Sequence, residues 1–312
     1  MSDGPVLTLV CNPNAGLGKA NKLLPRVTAA IEKAIPDATV RVHRAVSVRE
    51  ARLLTIAAAA AARPATENRR ADAVLVMGGD GMMHLGVQAC ANTGVPIGLI
   101  PAGTGNDICR GFGLPVNDAL AALDVIVRGN TRKVDLIKVS GHLVDGTRER
   151  YVASVVASGY DAKVNRRANQ TSWPRGSARY AVAVFRELRV FEPLRYRVTI
   201  DGETAHLPAM VISVANSRYF GGGIMIAPRA NPADGWLDIT LVHPVSRLTL
   251  IRLFAKLFSG KFVSDPAVEQ LRAREIVIDG DDLIAMGDGE ELGPVPVTLT
   301  NTPDALTIFA PN

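Results

Sequence analysis

Cysteine is scarce. The three in 312 residues, Cys11, Cys90 and Cys109, stand apart, and no CxxC pair occurs. A zinc ribbon and a disulfide framework are therefore not expected. Aromatic residues make up only 5% of the chain, and none interleave with basic residues as a base-stacking surface would require, so nucleic acid is not an expected partner. Long apolar runs are missing too. The longest, Ile56–Ala62, is far short of the ~20 residues that cross a bilayer. The N-terminus MSDGPVLTLV has no basic segment and no long apolar core, so no secretory signal is expected. The reading is a cytoplasmic protein whose membrane contact, if it has one, is peripheral. A GxSxG elbow is also lacking, which disfavours a Ser/His/Asp hydrolase.

What is present is globular. Apolar residues reach 47% and charged residues 21%, enough for a sizeable core. The net charge is +5 and the pI about 9.3, a balance that suits anionic partners. The stretch that organises the chain runs from Ala71 to Pro115. Two apolar runs, Ala73–Met77 and Pro96–Ile100, have the length and β-branched content of buried strands. Each ends in a glycine cluster: Gly78-Gly79-Asp80-Gly81 and Pro101-Ala102-Gly103-Thr104-Gly105-Asn106-Asp107. Glycine lets backbone N–H groups approach an anion closely, and a helix beginning after such a turn adds its positive end. Two adjacent turns of this kind read as a phosphate cradle. An acid among phosphates needs a cation, so Asp80 points to a nucleotide with Mg²⁺, the metal or its water shell lying on that carboxylate.

Earlier in the chain, Val6–Cys11 reads as a strand that stops at Asn12-Pro13-Asn14-Ala15-Gly16-Leu17-Gly18-Lys19. This is not a Walker A loop, because Ala20 follows Lys19 and Pro13 stands where Gly is required. Leu23–Ala34 reads as the helix that follows. Thr39–His43 reads as a strand, and Ser47 with Glu50 has the capping-box spacing for the next helix. Strands and helices alternate to about Arg128, the pattern of a layered α/β domain on a parallel sheet. From Lys133 strands dominate: Tyr151–Ala157, Leu194–Ile200, His206–Val214, Gly235–Val242, Ile276–Ile278 and Val295–Thr300. Several alternate apolar and polar residues, as antiparallel pairing requires. Two segments interrupt them. Tyr160–Val190 is arginine-rich, and its second half reads as a helix. Ser246–Ser259 is a basic amphipathic helix that either lies on an anionic membrane or packs over the sheet.

The Asn12–Gly16 turn, the GGDG turn, the PAGTGND turn and Asp288-Gly289-Glu290, in that order, resemble the diacylglycerol kinase catalytic family, which includes bacterial soluble lipid kinases and the sphingosine and ceramide kinases. The resemblance spans nearly the whole chain. It implies a two-domain α/β fold. Residues 1–135 with 305–312 would form a three-layer α/β nucleotide-binding domain. Residues 136–304 would form a β-rich, sandwich-like lipid-substrate domain. It implies ATP and Mg²⁺ as cofactors. Asn12, Gly16, Gly78, Gly79, Asp80, Gly81, Gly103, Thr104 and Asn106 would contact the nucleotide. Asp288, by itself a hairpin-turn residue, becomes the general base, Asp135 assists, Glu290 orients Asp288, helps hold Mg²⁺ or does neither, and Asp161 either faces the polar head of the acceptor or caps a helix. Asp234, with a plain turn aspartate as the alternative, becomes the ligand of a structural metal. The family usually has Thr after GGDG and Asn-Glu a little later, where this chain has Met82, His84 and Leu85. The expected activity is transfer of the γ-phosphate to a lipid hydroxyl, with diacylglycerol giving phosphatidic acid as the leading acceptor. The lipid is met at a membrane surface, and a homodimer is compatible with this. The rival readings are a sphingoid, ceramide or other lipid kinase, an NAD kinase, and a catalytically silent nucleotide-binding adaptor.

Overall fold

The computed structural model describes residues 4–159 and 192–311. The arginine-rich segment Tyr160–Val190, with Asp161, lies outside the described residues. The chain divides into two compact units, Met1–Asp135 with Pro303–Asn312, and Leu136–Thr302.

In the first unit, strands and helices alternate as β1 (Val6–Cys11), α1 (Ala15–Ala34), β2 (Thr39–Arg44), α2 (Val48–Ala61), β3 (Ala73–Gly78), α3 (Asp80–Cys90), β4 (Ile97–Pro101), α4 (Asp107–Gly111) and α5 (Ala119–Arg128). The strands run parallel in the order β2-β1-β3-β4. Buried strands of this kind show near-continuous apolar runs, and β3 and β4 are buried at every position. Side chains alternate across the sheet. Leu7, Leu9, Leu75 and Met77 meet Leu24, Val27 and Ile31 of α1 and Leu123 and Ile126 of α5. Val10 packs with Ala51 of α2 and Met82 of α3 in a separate cluster. The result is three layers, as expected. Helix α1 starts earlier than the apolar spacing predicts. Its opening, Gly16, Leu17 and Gly18, is left-handed, with φ of 58°, 58° and 84°, so the regular helix begins only beyond the turn. Ser47 caps α2 by accepting the Glu50 N–H, and the Glu50 carboxylate accepts the Val46 N–H one residue before the cap.

A single acid ties the opening of this sheet together. The carboxylate of Asp72, almost fully buried, accepts the N–H of Val6 at 2.7 Å, the N–H and Nε–H of Arg63 at 2.9 Å each, and Arg69 at 2.8 Å. Burial alone would raise its carboxyl. The Arg63 side chain, the backbone donors and the Arg63 charge outweigh burial and hold it at about 2. A carboxyl depressed in the folded state stabilises above its unfolded value, and that contribution disappears as pH falls through the folded one. Between pH 4 and pH 2 the protein should lose about 2 kcal/mol from this residue. Urea melts at pH 6 and pH 3 of the wild type and of Asp72→Asn check it. The variant should be less stable by about 3–5 kcal/mol at pH 6, since it leaves buried Arg69 without its partner, and its stability should depend less on pH.

The second unit contains β5 (Thr131–Gly141) from Leu136 onward, β6 (Glu149–Val152), β7 (Val155–Gly159), β8 (Leu194–Ile200), β9 (Glu203–Ala209), β10 (Val211–Ala215), β11 (Tyr219–Phe220), β12 (Ile224–Met225), β13 (Leu237–Val242), helix α6 (Arg247–Lys256), β14 (Val268–Ala273), β15 (Glu275–Asp279), β16 (Ile284–Gly287), β17 (Glu290–Pro294) and the first part of β18 (Val297–Phe309). One antiparallel sheet has the order β14-β13-β10-β7-β16-β17; a second joins β18, β15, β8 and β9. Val156, Ile212, Val214, Leu237 and Ile239 of the first share a core with Val198, Ile276, Ile278, Val297 and Leu299 of the second, so this unit is a β-sandwich.

The strands differ from the sequence expectation in three places. Tyr151–Ala157 is broken at Ala153-Ser154 into β6 and β7, and His206–Val214 is broken at Met210 into β9 and β10. The strand expected at Val295–Thr300 instead runs on through residue 309 as one 13-residue strand, β18, whose Ile308 pairs in parallel with Ile97 of β4.

Candidate functional site

The first unit brings the glycine turns together at the carboxyl ends of β1, β3 and β4, where ligands bind in open α/β sheets. The Gly78 carbonyl accepts the N–H of Ala102 at 2.7 Å and of Gly103 at 3.1 Å, and the Asn12 N–H reaches the Met77 carbonyl at 3.1 Å. The three turns therefore form one body. The glycines are there for space. A Cβ on Gly103 would lie 2.4 Å from the Gly79 Cα, and one on Gly16 would lie 2.2 Å from the Ala102 carbonyl oxygen. No side chain fits between these backbones.

Asn12, Gly16, Gly78, Gly79, Asp80, Gly81, Gly103, Thr104 and Asn106 are all part of this cluster, but they contribute in different ways. Gly81 and Thr104 are exposed at the surface of the turns. Gly81 sits in the first turn of α3, where backbone N–H groups have no partner within the helix. Asn106 is 2% exposed, and its side chain is spent on the turn: Oδ1 accepts from Gly103 N–H, and Nδ2 donates to the carbonyls of Gly103 and Val116. Asn12 accepts the Asn14 N–H. Asp80 Oδ1 accepts the Ile108 N–H at 3.1 Å and so links the first turn to the start of α4. The departures from the family pattern also find their reason. Met82 fills the core beside Val10 and Ala51. His84 is buried, so it is not a surface side chain.

Asp135 is buried elsewhere in this unit, and its carboxylate accepts the Asp304 N–H at 2.9 Å.

In the second unit, Asp288 and Gly289 form a two-residue hairpin between β16 and β17, with φ of 50° and 88°. Two successive positive φ values are the signature of the tight turn that joins antiparallel strands. The register pairs Gly287 with Val156 of β7, which places Asp288 at the break between β6 and β7. There the backbone donors freed by the interruption turn to it. Asp288 Oδ2 accepts the Ala153 N–H at 2.9 Å, Oδ1 accepts the Ser154 N–H at 2.8 Å, and the Ser154 hydroxyl donates to Oδ1 as well. The side chain is 8% exposed. Asn216 supports the same break from the end of β10, its N–H reaching the Ser154 carbonyl and its Nδ2 the Ala153 carbonyl. Glu290, next along the hairpin, is exposed. Ser154 and Asn216 were not singled out from the sequence. Their only signal is a small polar residue inside or at the end of an apolar run.

Asp234 is engaged away from this carboxylate. One oxygen accepts the Trp236 N–H, and the other pairs with the Arg272 guanidinium. The same guanidinium lies 3.8 Å from Asp238, whose carboxyl is pushed up by burial against the pull of Arg272. Trp236 has Arg272 and Arg274 over its ring at 5.4 and 5.0 Å. Among the described residues no three His, Cys, Asp or Glu side chains come together to hold a metal. The positive charge beside Asp234 and Asp238 is the Arg272 guanidinium. Removing it by Arg272→Ala strands buried Asp238 and should lower stability by about 1–3 kcal/mol, read as a lower melting temperature at neutral pH.

Residues 6–139 match the model of the diacylglycerol kinase catalytic domain, and residues 154–310 match that of the YegS C-terminal NAD kinase beta sandwich-like domain. A curated diacylglycerol kinase of Mycobacterium tuberculosis is 35% identical over 98% of this chain and 95% of its own length. One of Staphylococcus aureus is 26% identical over 97% and 92%. Among solved structures, a diacylglycerol kinase of Bacillus anthracis superposes with a TM-score of 0.70 at 19% identity, covering 98% of this chain and 97% of that one. Yeast NADH kinase in complex with NADH gives 0.56 at 12% identity, covering 99% and 84%. At those identities the two structures speak to the fold alone. The two domain matches and the 35% relative carry the assignment: this chain belongs to the diacylglycerol kinase family of lipid kinases.

Proposed function

We propose that the protein transfers the γ-phosphate of ATP to the free hydroxyl of diacylglycerol, giving phosphatidic acid and ADP. The observation that carries this reading is Asp288: a buried carboxylate at a hairpin tip, fixed by two backbone N–H groups and a serine hydroxyl, in a chain whose family phosphorylates lipids. Phosphoryl transfer asks the protein mainly for positioning and charge neutralisation, with a carboxylate that orients the attacking hydroxyl. Asp288 takes the hydroxyl proton as that oxygen bonds to the γ-phosphorus; the bond from phosphorus to the bridging oxygen breaks, and its electrons leave with ADP.

The first unit is assigned the donor. Its backbone-only approaches at Gly16, Gly79 and Gly103 fit phosphate oxygens, which take N–H donors where a side chain would obstruct them. Asn12 and Thr104 border the same turns, and Asn106 holds their shape. Mg²⁺ is commonly held by one or two carboxylates together with substrate phosphates, and needs no all-protein cage. Asp80 is the carboxylate at the turns that fits such a role, and the ion would supply neutralisation of phosphate charge. Glu290 is proposed to orient Asp288 or the acceptor, and Asp135 to act by fixing the returning strand at Asp304.

The test is transfer of labelled γ-phosphate from ATP with Mg²⁺ into micelles carrying diacylglycerol, sphingosine, ceramide or phosphatidylglycerol, with NAD⁺ as the soluble acceptor. Label in diacylglycerol that vanishes in Asp288→Asn supports the proposal. Label only in another lipid moves the acceptor, and label in NAD⁺ alone overturns the lipid reading.

A further inference from the structure

Helix α6 and the turn Leu257–Ser259 after it carry two apolar faces, and only one is used by the fold. Leu250 and Leu253 are buried, and with Phe254 and Leu257 they pack on Val155, Val211, Val242 and Phe262. The other face holds Leu248, Ile251, Ala255 and Phe258, spaced i, i+3, i+7 and i+10. Leu248 is 76% exposed, Ile251 43% and Phe258 57%. From Pro244 to Ser264 the sequence contains Arg247, Arg252, Lys256 and Lys261 and no acid. Among the described residues none of these four cations pairs with a carboxylate. Elsewhere arginines are commonly matched, as at Arg63 with Asp72, Arg197 with Asp279 and Arg272 with Asp234.

We infer that this face is the membrane-docking surface, and that its partner is a bilayer rich in anionic phospholipid. A helix with an exposed apolar stripe flanked by cations lies in the interface plane, its apolar side chains dipped below the headgroups and its cations at their level. A protein partner with an apolar patch would explain the stripe but not four positive charges that no described carboxylate matches. An anionic headgroup layer answers both, because it attracts each nearby Lys or Arg while the acyl layer takes the stripe. The inference rests on the lipid-kinase reading for its purpose, since the acceptor resides in a membrane. It rests on the helix alone for its evidence.

The test is co-sedimentation, without ATP, with vesicles of equimolar phosphatidylglycerol and phosphatidylcholine or of phosphatidylcholine alone, both free of diacylglycerol. The wild type should bind the anionic vesicles at least ~10-fold more tightly. Leu248→Glu with Phe258→Glu should weaken that binding by about 10-fold or more, and Arg247→Glu with Arg252→Glu should abolish the preference for anionic lipid. Melting temperatures establish that the variants fold; Leu248→Ser with Phe258→Ser replaces the first pair if it does not. Wild-type binding that ignores lipid charge overturns the inference, as does unchanged binding by the variants. So does a wild-type dimer in sedimentation velocity that the Leu248 and Phe258 variants split, because the stripe would then belong to a second copy. Turnover of dioctanoylglycerol in neutral detergent micelles by the wild type tests the kinase reading separately. Its absence would overturn diacylglycerol as the acceptor and leave the vesicle result standing.

Discussion

Asp288→Asn is expected to lower kcat by roughly 10²–10⁴-fold, the range for losing a general base, with little change in the KM for ATP. The substitution preserves shape and removes the ability to take a proton. It also has a structural cost that follows from the hydrogen bonds. Both carboxylate oxygens accept backbone N–H groups, from Ala153 and Ser154. An asparagine must turn its amide nitrogen toward one of them, donor against donor. A buried donor left unmatched costs about 1–3 kcal/mol, so the melting temperature should fall modestly while the fold persists. The control is Ser154→Ala. It removes one of the three donors without touching the carboxylate, so kcat should fall by roughly 10- to 150-fold, the lost bond being worth about 1.5–3 kcal/mol. Should both variants turn over like the wild type, Asp288 is not the base.

The second large effect is expected at Gly103. A methyl there lands 2.4 Å from the Gly79 Cα, a backbone atom that cannot swing aside as a side-chain tip can. The two turns must part, and the hydrogen bonds that the Gly78 carbonyl receives from Ala102 and Gly103 part with them. Gly103→Ala should weaken ATP binding by at least ~10-fold and destabilise the protein by about 1–3 kcal/mol, the range for forcing atoms into a packed site. The order among glycines is itself a prediction. Gly79→Ala, with 3.3 Å to the Gly103 Cα, should be milder. Gly94→Ala meets nothing within 4 Å and is strained only by its φ of 73°, so it should cost about 1 kcal/mol and leave ATP binding alone. Calorimetric titration with ATP and thermal melts of the three variants decide it. Equal effects at Gly103 and Gly94 would refute the spatial argument.

These two sites were not equally visible in the sequence. The turns after β3 and β4 were legible because glycine is the one residue that allows such close approach, so the geometry leaves a mark on the chain. The Asp288-Gly289 hairpin was legible for a similar reason, since two positive φ values select those residue types. The surroundings of Asp288 were not. The run YVASVVAS is nearly continuously apolar, like one buried strand, and nothing local marks the break at Ala153-Ser154. The break is stabilised by a carboxylate 134 residues away, and no periodicity reports a partner at that distance. The partner of Asp234 was hidden in the same way. The neighbours of Asp234 spell a turn, whereas Arg272, which decides what the carboxylate does, arrives 38 residues later. The left-handed Leu17 was also hidden, because a leucine at φ 58° contradicts its own preference and is set by the turn around it.

The long strand β18 has a consequence for how the protein is made. Ile97 of β4 waits for Ile308, yet every other strand of the parallel sheet has left the ribosome long before. At ordinary elongation speeds the interval between residue 135 and residue 308 is roughly 10–35 s. Throughout it, the nascent first unit presents β4 as an unpaired edge, the kind of surface that captures neighbouring chains. Slowing the ribosome over the second half of the message would lengthen that exposure, and a chaperone that shields β4 would matter most in the same window.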